Sequence, residues 1–84
     1  MTPLARLLQV ASSDEKHRLA ALTGTTLNYL YQVAGCHREA PSAALAFAIE
    51  DASRIIAQES DGRLFVVTAR EIATMCATAV FDTP

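Results

Sequence analysis

The stretch Leu-Thr-Gly-Thr-Thr at positions 22–26 joins two short helical patterns and restricts this chain more than any other. Before it, Leu19, Ala20 and Thr23 share one inward face of a helix. Gly24 ends that helix, because the left-handed cap conformation costs glycine little. Thr25 and Thr26 then open a second helix, with Thr26 the better cap. Leu30 and Val33 face inward along it, and Gly35 stops it.

The flanking sequence supplies more helices. Thr2 caps a first helix over residues 2–11, with Pro3 at the first helical position, where its missing N–H is harmless. Leu4, Leu7, Leu8 and Ala11 fall on its buried face. Ser12 and Glu15 form the capping box that starts the next helix, which runs to about Thr23. Ser42, behind Pro41, caps a fourth helix ending near Gln58; Leu45, Ile49, Ala52 and Ile56, with Ala48, face inward, and Glu50, Asp51 and Arg54 face water. Residues 59–62 form a polar turn. Residues 63–67, Arg-Leu-Phe-Val-Val, are the one strand-like run. A lone strand has no partner in the chain, so this run is either an extended linker or a strand paired across a dimer. Thr68 and Glu71 form a second capping box, leading into a fifth helix with Ile72, Met75 and Cys76 inward. The expected fold is all-α: a single domain over residues 1–84, a small bundle of about five helices, with room for a short C-terminal strand.

Eighty-four residues make a marginal core, and much of the 51% hydrophobic content is alanine. Alanine faces bury little area, so a homodimer would help to stabilise the chain, with residues 63–84 as the expected dimerisation extension. No apolar run approaches the ~20 residues that cross a bilayer. The N-terminal residues lack the pattern of a signal peptide, and the cytoplasm is the default location. Cys36 and Cys76 are forty residues apart, a spacing that suits neither a zinc site nor a redox pair; two reduced, partly buried thiols are expected. No cofactor or metal is implied.

Net charge is −2, but residues 16–38 contain Lys16, Arg18 and Arg38 and no acid. That window carries +3, while four basic and nine acidic residues elsewhere give −5. A locally positive face on an acidic protein still steers towards phosphate.

Several positions in this region carry a family resemblance. Leu19-Ala20 followed by Gly24, Thr25-Thr26, Tyr29-Leu30, Gln32-Val33-Ala34, His37-Arg38, Pro41-Ser42, Leu45-Ala46 and Ile49-Glu50 resemble the DNA-binding helix-turn-helix of phage Cro and cI repressors, closest to the Cro-like branch that includes YdaS-type antitoxins. The resemblance covers about residues 15–53. It implies a lambda-repressor-like unit whose two helices cross at about 90–120°, with residues 26–34 as the recognition helix in the major groove. Position by position, it assigns Leu27, Asn28, Tyr31 and Gln32 to the base edges. Asn28 and Gln32 have the paired donor and acceptor that suit adenine, whereas Leu27 offers only apolar contact, as to a thymine methyl. Lys16, Thr26, His37, Arg38 and Ser42 fall at backbone-contacting places. Cys36 stands where many relatives have glycine, with Gly35 one place earlier, so the loop path is expected to differ by a residue.

The expected function is a sequence-specific transcriptional regulator, a homodimer on a palindromic operator in double-stranded DNA, of phage-repressor or antitoxin type. The alternative is a protein-binding helical module, an anti-repressor or partner-capturing antitoxin, that reuses the fold. Catalysis is not expected: the two histidines have no ligand-like spacing, and no nucleophile or phosphate-binding motif is present.

Overall fold

A computed structural model describes residues 1–37 and 41–75. They form five helices: α1 (Pro3–Val10), α2 (Ser13–Thr23), α3 (Leu27–Ala34), α4 (Ala43–Glu59) and α5 (Ala69–Thr74). The α2 helix packs chiefly on α4, α1 lies against α3, and α5 closes on α4 and α1. One core joins them, built from Leu4, Leu7 and Leu8 of α1, Leu19 of α2, Leu30 and Val33 of α3, Ile49 and Ile56 of α4, and Ile72 of α5.

Local chemistry sets each helix start. Thr2, Ser12, Thr26, Ser42 and Thr68 each accept a backbone N–H three residues on, and both expected capping boxes form. The Thr2 hydroxyl also donates to the Ala34 carbonyl at 2.6 Å, so the start of α1 satisfies an orphan acceptor at the end of α3.

Three helices end in the same hydrogen-bond pattern. Thr25 N–H donates to Ala20 O and Gly24 N–H to Ala21 O; His37 and Cys36 repeat this onto Gln32 and Val33, and Gly62 and Asp61 onto Ala57 and Gln58. This is the Schellman pattern, which places one residue in the left-handed region. Those residues are Gly24 (φ 70°), Cys36 (φ 60°) and Asp61 (φ 56°). Gly35 keeps an ordinary φ of −87°. The loop after α3 therefore makes its left-handed step at Cys36, one residue after Gly35.

The strand-like run at 63–67 is not a strand; no strand occurs among the described residues. Within the chain it is an irregular linker, and its backbone is held from α4 and the turn after it at Leu64 and Val67. Ser53 is fully buried on α4, where its hydroxyl accepts from Val67 N–H at 3.0 Å and donates to Glu50 O at 2.8 Å. One residue beyond the Thr68 cap, Ala69 N–H donates to Glu50 Oε1 at 2.7 Å. Leu64 and Val67 are buried in the bundle's own core, together with Ala69 and Ile72 of α5. Leu64, Val67, Ala69 and Ile72 thus spend their apolar surface inside one chain, while Phe65 and Val66 stay half-buried.

Arg63 ties the linker to the N-terminal half. Its guanidinium donates to Val10 O at 3.1 Å and forms an ion pair with Glu15 at the start of α2. That guanidinium, together with the Ser12 N–H of the capping box, holds the Glu15 carboxyl below the usual carboxylate range.

Cys36 departs from the expected reduced, partly buried thiol: it is exposed and disulfide-bonded. Its left-handed place at a helix end turns the side chain out of the core. Cys76, the other cysteine in the sequence, lies outside the described residues.

Candidate nucleic-acid interface

The turn between α2 and α3 is locked by its threonines. Thr23 Oγ1 lies 3.0 Å from both Leu19 O and Ala20 O and 2.9 Å from Thr25 Oγ1. Gly24 takes the left-handed step between them, and Thr26 then accepts Tyr29 N–H at 3.1 Å to start α3. Leu30, Val33 and Ala34 anchor α3 in the core, which leaves the opposite side outward.

The four residues assigned to base edges do not stand alike. Asn28 and Tyr31 are exposed, one helical turn apart. Gln32 is half-buried and already engaged within the chain. Leu27 is half-buried and packs against the core, as does Tyr29. Leu27 therefore works first as a packing residue, because the opening turn of α3 leans on the bundle. Asn28 is left as the most accessible amide on the helix.

Among the residues assigned to the DNA backbone, Lys16 comes from the first turns of α2 to lie over the Tyr31 ring, its Nζ 5.8 Å from the centroid. Sequence spacing gave no hint of this cation–π pairing, since fifteen positions and a turn separate the two residues. Thr26 and Ser42 are exposed, and each uses its oxygen as a helix cap. A hydroxyl that accepts a cap bond keeps its own hydrogen to donate, so capping and phosphate contact are compatible. His37 is exposed, with its ring close to Gly35: a β-carbon added there would lie 2.8 Å from His37 Cδ2. Arg38 lies outside the described residues.

Arg18 points elsewhere. Its guanidinium meets the Glu59 carboxylate at the end of α4, with contacts of 2.6 and 3.0 Å. The hydrogen bonds and charge of this pair raise the Arg18 pKa and lower that of Glu59. One of the three cations in the acid-free window is thereby matched by an acid forty-one residues away in sequence. His17 turns back on its own helix, with Nδ1 2.8 Å from Ser13 O.

The face thus offers an amide at Asn28, an aromatic ring with an ammonium above it, and hydroxyl donors at the starts of α3 and α4. It suits a polyanion that also presents hydrogen-bonding edges. No group of three His, Cys, Asp or Glu side chains among the described residues could hold a metal ion. No described helix is long and apolar enough to cross a membrane. No protein-family model, curated protein or solved structure matches this chain.

Proposed function

We propose that this protein is a sequence-specific DNA-binding regulator of the Cro-like repressor or antitoxin type, working in the cytoplasm as a homodimer on a palindromic operator. The observation that supports it best is the exposed pair Asn28 and Tyr31 on a helix anchored by its opposite face, with Lys16 beside the ring. In this reading α3 enters the major groove, Asn28 reads an adenine edge, and Tyr31 stacks on sugar or base. Lys16, Thr26 and Ser42 hold phosphates on either side, and His37 and Arg38 extend the contact along the backbone.

A second reading, a helical module that captures a protein partner, is favoured by one observation. Arg18 is committed to Glu59, which withdraws one of the window's three cations on a chain of net charge −2. Binding of mixed DNA fragments, measured from low to moderate ionic strength, separates the two. A regulator binds at low salt and loses affinity steeply as salt rises; absence of any salt-sensitive binding defeats the regulator reading. The titration belongs in both reducing and oxidising buffer, because a reducing cytoplasm would hold Cys36 as a thiol.

A further inference from the structure

We propose that the groove between α4 and α5 seats a second copy of this chain, with Phe47 of each copy entering the groove of the other. The groove exists because small side chains face each other: Ala43 and Ala46 on α4, Ala69 and Ala73 on α5. The bond from Ala69 N–H to Glu50 Oε1 fixes the start of α5 against α4 and so sets the width of the cleft. Its volume is about 390 Å³. An apolar cavity of about 150 Å³ already accepts a benzene ring, so a phenyl group fits here with room to spare.

Phe47 stands at the rim and is 60% exposed. A large aromatic left in water beside an apolar cleft marks a contact surface. Knob and hole lie on one face of one molecule, as an isologous two-fold interface requires. The charges on that face also complement themselves. Arg70 on the α5 wall has no ion pair among the described residues, and Asp51, one turn beyond Phe47, has a side chain 73% exposed whose contact with Arg54 of its own helix is long, at 3.7 Å. A second copy brings an acid to Arg70 and a cation to Asp51 at once. Residues 76–84, the other occupant the chain itself can offer, carry Asp82 and no cation, so they answer Arg70 alone.

This deepens the regulator reading, since a palindromic operator needs two copies, but its test contains no DNA and either can fail alone. Sedimentation equilibrium of the full chain is expected to show a concentration-dependent dimer. Phe47→Glu is expected to be monomeric with an unchanged far-UV spectrum, as befits a surface position. Ala73→Leu, which fills the groove from the other wall, is expected to weaken dimerisation at least tenfold. Arg70→Asp is expected to weaken it, and the reversed pair Asp51→Arg with Arg70→Asp to restore it. The proposal is overturned by a full chain that is monomeric throughout, by a dimer indifferent to Phe47→Glu and Ala73→Leu, or by a reversed pair that restores nothing. It is equally overturned if the chain dimerises only after removal of residues 76–84, which would show that they hold the groove themselves.

Discussion

Arg18 and Glu59 hold each other through three contacts, and the pair binds the middle of α2 to the end of α4. An arginine counted from the sequence as part of a phosphate-steering window thus braces the bundle instead. The two cations of α2 should consequently separate in a salt titration. Lys16→Ala is expected to weaken binding to specific and random DNA alike and to lower the slope of log K against log salt by about one. Arg18→Ala is expected to leave that slope unchanged. Equal slope changes for both would place Arg18 on the phosphates.

Asn28 and Gln32 stand equal in the sequence as expected base readers, and their exposure separates them. Asn28→Ala is expected to cost about 1–3 kcal/mol on the operator and little on random DNA, the range for losing one bidentate base contact. Gln32→Ala should cost less, because Gln32 is half-buried whereas Asn28 is exposed. Competition binding of operator against scrambled DNA measures both, and equal losses on the two DNAs would remove Asn28 from base reading.

The helix starts and the inward stripes were legible because they are local. A Ser or Thr followed three residues later by Glu satisfies its own backbone donors wherever it occurs, and Leu4, Leu7 and Leu8 state their face by spacing alone. Contacts between distant segments left no such trace. Nothing near Arg63 signals that it reaches Glu15, nor anything near Lys16 that it lies over Tyr31. The run at 63–67 was ambiguous for the same reason. Branched and aromatic residues suit both a strand and a buried linker, and Ser53, fourteen positions before Val67, decides between them. The left-handed step at Cys36 was not legible, because Gly35 beside it was expected to end the helix.

Ser53 gives the sharpest stability prediction. Ser53→Ala leaves the Val67 N–H buried without an acceptor and is expected to cost about 1–3 kcal/mol. For a domain of this size each kcal/mol lowers Tm by about 4–8 °C. Thermal melting followed by circular dichroism checks it, and a loss within error would mean that Val67 finds water or another acceptor.

Acid should act through Glu15 and Glu59. Both carboxyls have folded pKa values depressed by their arginines, so their stabilisation is complete above the unfolded value of about 4.3. It is lost as pH falls through the still lower folded values. Stability is therefore expected to be level from neutrality to about pH 5 and to fall below about pH 4. Arg63→Ala should be less stable at neutral pH and decline less steeply in acid. Denaturant melts across that range test it, and an unchanged acid slope would show that Glu15 titrates without Arg63.

Arg63 also bears on the order in which the molecule assembles. Its bonds to Glu15 and Val10 span 48 and 53 residues of chain, whereas the helix caps and Schellman turns each close within six. Local closures form on the microsecond scale of helices, but a contact of such separation waits until the long intervening loop has been brought together. The guanidinium is therefore expected to join the two halves after the barrier has been crossed. Its removal should quicken unfolding while leaving the folding rate almost untouched, making Arg63 a determinant of how long the native state lasts.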